Sequence, residues 1–528
     1  MKALEAVRAA RALGRTGLFR PVRPGQYVQM ALLARRWGTS PAAGSAIAAL
    51  RAPDHPAVAD EEGCQTWRQL DTAATAVAGG LRAEGVDGET TVGVMCRNHR
   101  GFLEAVLAAS KLGSDVVLLN TEFASDQLGE VLEREAVAAA VLDDEFAGAF
   151  DEAGFDGVRV DSSALEEMAS RSERPALEPP SRTGRIVILT SGTTGTPKGA
   201  QRESVGAPLS VISGAFSRLP FRAREPVVVA PPLFHGLGFG FFGFSLLLQG
   251  TLVVRRRFDP EAVLADIERQ RATTLVAVPV MLQRILDLPE QTRAAHDTSS
   301  LRMIVCSGSA LSSDLATVVM DAFGDVLYNF YGSTETGWAA LADPADLRAA
   351  PGTVGRPPEG TAVSLLDDDG RPVGPGESGR IFVGSEMVFE GYTGGGGKDV
   401  VDGLTSTGDV GHFDDEGRLF VEGRDDDMIV SGGENVFPAE VQELLQGHDA
   451  VADVAVVGVD DDEMGQRLAA FIVSASADGV SADDIKSFVR SHLARYKVPR
   501  DIEFVDEIPR TPTGKVVRGE LQVLQPQD

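Results

Sequence analysis

The 528-residue sequence predicts an α/β protein, with a large N-terminal body of mostly parallel sheets, a small β subdomain and a smaller mobile α+β domain at the C-terminal end. Three observations predict it. Short β-branched runs alternate with helical patterns from Thr91 to Phe330. A stretch from about 352 to 423 is punctuated by Gly and Pro and holds no long helical pattern. A compact, patterned segment then follows a charged turn at Arg424–Asp427.

In the body, TVGVMC (91–96) reads as a strand, 100–112 as a helix, and DVVLL (115–119) and AAAVL (138–142) as further strands. A polar Pro/Ser/Arg linker near 171–184 interrupts the rhythm. It resumes with IVIL (186–189), VVVA (227–230), TLVV (251–254), TLVAV (274–278), LRMIV (301–305) and DVLYNF (325–330). Helical segments between strands are what parallel pairing requires, because each strand must be re-entered from the same end. Beyond 424 the pattern gives helix 438–446, strands 452–459 and 468–474, helix 481–494 and strand 502–505. The expected organisation is a basic segment 1–50, a large domain 51–423, a hinge 424–427 and a small domain 428–528.

Charge narrows the partners. The formal net charge is −28, which argues against nucleic acid. Yet in the first fifty residues Lys2, Arg8, Arg11, Arg15, Arg20, Arg23, Arg35 and Arg36 face only Glu5, so that segment is +7 and the remainder −35. A solvated face, a helix docked on an acidic body and a peripheral anchor on anionic lipid all fit this asymmetry. No apolar run is long enough to span a bilayer, and the arginine-studded start lacks the apolar stretch of a secretory signal. Cys64, Cys96 and Cys306 stand too far apart for a zinc or disulfide framework. The expectation is a cytoplasmic protein, with contact at the inner face of the membrane and a homodimer left open. Only seven of the 49 basic residues are lysines, and two of them, Lys198 and Lys515, stand in Gly/Thr/Pro-rich loops.

The first of these loops is Thr190-Ser191-Gly192-Thr193-Thr194-Gly195-Thr196-Pro197-Lys198-Gly199, directly after a strand. It offers backbone N–H groups, hydroxyls and a cation to a polyphosphate. It is not a Walker A loop, since Pro197 precedes the lysine and Gly199 follows it. A merely flexible turn is a poor reading, because so many residues would be costly to order without a ligand.

The loop resembles the phosphate loop of the acyl-adenylate-forming superfamily: acyl-CoA synthetases, carrier-linked adenylation domains and luciferases. Four further elements of that family recur in order. They are Tyr331-Gly332-Ser333-Thr334-Glu335, then Ser406-Thr407-Gly408-Asp409, then Gly423-Arg424-Asp425-Asp426-Asp427 with Ser431-Gly432-Gly433-Glu434-Asn435, and last Pro509-Arg510-Thr511-Pro512-Thr513-Gly514-Lys515. The resemblance covers nearly the whole chain after about residue 50.

It implies ATP, Mg²⁺ and coenzyme A as reaction partners. Thr190, Ser191, Gly192, Thr193, Thr194, Gly195 and Lys198 would cradle phosphates. Glu335 would supply a hard oxygen to Mg²⁺, and Thr334 a hydroxyl to the α-phosphate. Asn329 would meet the adenine amino group, Tyr331 with Gly332 would cover the ring, and Gly308, Ser309 and Ala310 would line its other side. Asp409, an acceptor when ionised, would take the ribose hydroxyls, and Arg424 would support ribose or phosphate. Lys515 would bridge the attacking carboxylate and the α-phosphate, two anions that need a cation between them. His235 stands where the family places an aromatic or His beside the substrate carboxylate. Asp426 would be the hinge. Gly432, Gly433, Tyr496, Lys497 and Arg500 would meet coenzyme A.

Gly238-Phe239-Gly240-Phe241-Phe242-Gly243 satisfies G-x-G-x-x-G formally, but its Phe-rich continuation is too apolar for a pyrophosphate. Instead Gly236, Gly240 and Gly243 share a helical face. With Phe239 and Phe242 on its flanks and Val278 and Val280 nearby, this face reads either as an acyl pocket or as close helix packing. The expected reaction is activation of a medium- or long-chain fatty acid to acyl-AMP and its transfer to coenzyme A. The alternatives are a fatty acyl-AMP ligase that loads a carrier protein, a CoA ligase for an aromatic acid, and luciferase-like oxidation.

Overall fold

Alternating side chains on the strands of two sheets sort the body into three hydrophobic layers. In strand Met303–Cys306, Met303 and Val305 face one cluster while Ile304 and Cys306 face another. In strand Asp115–Leu118, Val116 and Leu118 join that first cluster and Val117 turns to a third. Period-two alternation therefore builds one core shared between two sheets, with a further core on the far face of each. The computed structural model describes residues 10, 12–18, 22–171, 176–190, 198–201, 214, 216–385, 388, 391–393, 397–425, 429–431, 434–461, 465–475, 480–493, 497–511, 514–517 and 520–521.

The eight-stranded sheet runs Gly337–Ala342, Leu327–Ser333, Met303–Cys306, Thr274–Ala277, Pro226–Val229, Thr251–Val253, Pro56–Asp60, Gly63–Thr66, and is antiparallel only at its two end pairs. The seven-stranded sheet runs Gly391–Tyr392, Lys198–Gln201, Ile186–Thr190, Asp115–Leu118, Thr91–Met95, Val137–Leu142, Val158–Val160. It is parallel from Ile186–Thr190 onward. Helices Trp67–Ala83, Arg100–Leu112 and Gly236–Leu248 fill the space between the sheets. Helices Pro260–Gln270, Pro279–Leu286 and Ser313–Phe323 close the outer face of the first sheet, and Ser125–Arg134 that of the second.

Local chemistry sets the helix ends. Helix Arg100–Leu112 starts where the His99 ring accepts from the Gly101 N–H and stops at Gly113, in the left-handed region at φ +82°. Thr66 and Gln69 form a capping box ahead of Trp67–Ala83.

Strands Ala362–Leu366, Gly379–Gly384, Val400–Val401, Leu404–Phe413 and Leu419–Arg424 form an antiparallel sheet without a long helix, and the chain then enters a last mixed sheet. Helices Pro438–Gln446 and Ala482–His492 pack on that sheet through Val441, Leu445, Ile485 and Val489.

The basic N-terminal segment, where the sequence reading gave a docked helix as one option without bounds, holds two helices, Pro24–Trp37 and Pro41–Arg51. They are docked at Trp37, whose ring lies 4.8 Å from the Lys111 ammonium. Lys111 is itself buried and paired with Asp71 at 2.7 Å. No helix among the described residues is long and apolar enough to cross a membrane.

Candidate active site

Four neighbouring parallel strands of the eight-stranded sheet end side by side, and each delivers a sequence-predicted residue to the same edge. His235 follows Pro226–Val229, Val278 and Val280 follow Thr274–Ala277, and Gly308, Ser309 and Ala310 follow Met303–Cys306. Strand Leu327–Ser333 carries Asn329, Tyr331 and Gly332 and leads into Thr334 and Glu335. It runs three residues past the expected end, so Tyr331 stays on the ladder. The carboxyl ends of parallel strands are where open α/β sheets bind ligands.

Close approaches tie these residues together. Gly308 sits at φ +95°, and a methyl group there would lie 3.1 Å from Val278 Cγ1. A methyl on Gly236 would lie 3.6 Å from Thr334 Oγ1. The β subdomain adds Asp409 and Arg424, directly opposite each other on the ladder, with Asp409 Oδ1 3.5 Å from Arg424 Nη1. The Tyr331 hydroxyl donates to Asp409 Oδ2 at 2.5 Å, and burial together with that carboxylate pushes the phenol up. Tyr331 therefore orients Asp409 through its hydroxyl, a duty that ring stacking alone does not predict.

The small domain closes the site. Arg510 donates to both Asp453 oxygens, at 3.1 and 2.6 Å, and to the Gly514 carbonyl at 2.9 Å. The Gly514 and Thr511 backbones close a tight turn, with Gly514 at φ +83°. A methyl on Gly514 would lie 3.0 Å from Val280 Cγ1 and 3.8 Å from Ser309 Oγ. The turn thus rests against the large domain, with the exposed Lys515 close enough to perturb His235.

Burial first, and then the Lys515 charge, pulls the His235 imidazole down to about 4. Its Nε2 is shielded and has no hydrogen-bond partner among the described residues. The ring is therefore neutral at pH 7. Because the folded value lies below the unfolded one, about 6.5, the unfolded chain takes up this proton first. Stability linked to His235 is intact above about pH 6.5 and is lost as pH falls from there towards 4. His235→Gln is expected to flatten that part of the stability profile, read as denaturant midpoints across the window. An unchanged slope would show that the ring is not buried as described.

Glu335 is half-buried, and the Tyr392 hydroxyl donates to its Oε1 at 3.0 Å. The sequence reading missed Tyr392. It stands in strand Gly391–Tyr392, which pairs with Lys198–Gln201, and that strand pairs in turn with Ile186–Thr190, Thr190 opposite Lys198. Ser191, Gly192, Thr193, Thr194 and Gly195 lie outside the described residues, as do Asp426, Gly432, Gly433, Tyr496 and the side chains of Thr190 and Lys198. A carboxylate held by a neutral phenol, beside strands that flank a phosphate-type loop, is a hard oxygen donor that fits Mg²⁺.

Two expectations need correction. Phe239 and Phe242 do not flank an open channel: they are 9% and 1% exposed and pack edge to face in the shared core. Gly240 and Gly243 are exposed, and a methyl on either would meet nothing within 4 Å, so close helix packing is not their purpose either. Lys497 is paired with Glu440 at 2.5 Å and Arg500 with Asp461 at 3.3 Å, both within the small domain.

Residues 46–393 match the family model of the AMP-binding enzyme, and residues 440–515 that of the AMP-binding enzyme C-terminal domain. A feruloyl-CoA synthase from Amycolatopsis sp is 34% identical over 463 residues, covering 87% of this chain and 93% of its own. An indoleacetate–CoA ligase from Aromatoleum aromaticum is 31% identical, covering 89% and 95%. Among solved structures, the o-succinylbenzoate CoA synthetase from Bacillus subtilis, in complex with its acyl-adenylate intermediate, superposes with a TM-score of 0.81 at 28% identity, covering 92% of this chain and 99% of that one.

Proposed function

Because the chain belongs to the acyl-adenylate-forming AMP-binding enzymes, and is an acid–CoA ligase working with ATP, Mg²⁺ and coenzyme A, we propose that its acid is aromatic, of the arylpropenoate or arylacetate kind. The similarity to feruloyl-CoA and indoleacetate ligases supports this reading over the fatty-acid expectation. So does the packing of Phe239 and Phe242, which removes the flanks that a long-chain channel needed.

The observation that carries the mechanism is the Lys515 turn, docked beside Ser309, Val280 and His235. In the first step a carboxylate oxygen attacks the α-phosphorus and the bond to pyrophosphate breaks. Lys515 holds the two anions together, Thr334 donates to the α-phosphate, and Asp409, oriented by Tyr331 and Arg424, takes the ribose hydroxyls. His235, neutral, packs beside the carboxylate rather than pairing with it. Mg²⁺, held by Glu335, would offset the charge of the phosphates. For the second step the small domain rotates to withdraw Lys515; the thiol sulfur then attacks the acyl carbonyl, the bond from that carbon to the phosphate oxygen breaks, and AMP leaves as the thiol proton passes to solvent.

Pyrophosphate release scanned over ferulate, cinnamate, indoleacetate, octanoate and palmitate, with and without coenzyme A, tests the reading. The aromatic acids should give the higher kcat/KM, and coenzyme A should be consumed. Higher values for palmitate would return the fatty-acid reading, and turnover to acyl-AMP alone would return the carrier-loading one. In the same panel Gly240→Leu is expected to lower kcat/KM for the bulkier acids about tenfold without loss of stability, since the added side chain has open space to enter.

A further inference from the structure

Of the six large apolar side chains exposed among the described residues, three lie on one helix, Pro24–Trp37: Tyr27 at 57%, Val28 at 61% and Leu32 at 60%. Val28 and Leu32 are one turn apart on one line of the helix, and Tyr27, about 100° round from Val28, borders them on the side nearer Arg51. Exposed Arg23 precedes that line and exposed Arg35 continues it by a further turn.

More arginines stand beside it. Gln26 Nε2 donates to the Leu50 carbonyl, Arg51 to the Leu18 carbonyl, and Arg224 to the Arg51 carbonyl. These bonds bring the start of the helix next to an open depression lined by Arg15, His55, Arg222, Arg224 and Glu225. Tyr27 is near enough to Arg51 to act on its charge, while burial and the Arg224 charge hold the Arg51 guanidinium below its ordinary value. Glu225 is already paired with Arg302. Arg15 and Arg222 are exposed.

We propose that Tyr27, Val28 and Leu32 and the arginines beside them form a docking surface for an anionic bilayer, with the helix lying in the interfacial plane. An apolar stripe rimmed by arginines, with a tyrosine at the boundary, is the pattern that inserts shallowly while its cations meet lipid phosphates. Residues 51–528 carry a net charge of −35, so such a membrane repels most of the body and favours approach by a face where arginines gather. A second copy is the poorer occupant. A two-fold contact would set these arginines against themselves. The other exposed apolar residues, Val318, Val400 and Phe504, are scattered over three separate elements.

Full-length protein is sedimented with phosphatidylcholine vesicles and with vesicles containing phosphatidylglycerol, at low and high salt. Binding to the second kind only, weakened by salt, is expected. Arg15→Gln with Arg222→Gln should lower partitioning about thirtyfold, ~1 kcal/mol per arginine. Val28→Glu with Leu32→Glu should lower it at least about tenfold, with circular dichroism unchanged in both variants. Equal binding to the two vesicle types, binding to neither, or variants that bind like the parent would overturn the proposal. So would a concentration-dependent dimer that these variants abolish, since the face would then join two copies.

Discussion

Lys515→Ala is expected to lose acid-dependent pyrophosphate release by about 10²–10³-fold, the range seen when one preorganised charge-stabilising donor is removed from a transition state. The same variant should still convert synthetic acyl-AMP and coenzyme A to the thioester. Lys515 acts where two anions are forced together, and that encounter belongs to the first half-reaction only. The geometry isolates the effect. The turn is held by the backbone of Thr511 and Gly514 and by Arg510, so cutting back an exposed side chain leaves its frame in place. Separate assays of the two half-reactions decide the matter. Equal loss of both in a folded variant would sink the idea that the small domain presents Lys515 to one step and withdraws it for the other.

Glu335→Gln is expected to lower pyrophosphate release about a hundredfold at fixed Mg²⁺, and Tyr392→Phe about tenfold, the span typical of perturbed metal surroundings. The amide keeps the shape of the carboxylate but loses its charge, so the first variant should demand far more Mg²⁺ for half-maximal rate. The phenylalanine variant keeps the charge and loses only the hydroxyl that donates to Oε1. Its Mg²⁺ requirement should therefore rise less, and saturating Mg²⁺ should restore most of the rate. Identical Mg²⁺ titrations for parent and Glu335→Gln would remove Glu335 from the metal site. A Tyr392→Phe rate that excess Mg²⁺ leaves depressed would assign the tyrosine a purely structural part.

The sequence by itself determined the α/β class, the strand rhythm and the order of the site motifs, because these are local. Residues 100–112 announce their own helix, and the chain beside them supplies both its ends, a His99 ring before it and Gly113 after it. Gly514 likewise marks a turn wherever the chain is placed, since its φ of +83° suits glycine. The tertiary structure alone decided how each side chain is used. Tyr392 acquires its role from Glu335, 57 residues away, and Lys497 finds its partner in Glu440, at the same separation. Phe239 and Phe242 read equally well as pocket lining or as core until the two sheets close on them. The polar face of a helix can be read from period alone, but the exposure of Tyr27, Val28 and Leu32 could not, because an apolar stripe normally signals burial. Periodicity fixes which residues share a face; whether that face meets protein, ligand or solvent depends on contacts between segments far apart in the chain, which no local pattern encodes.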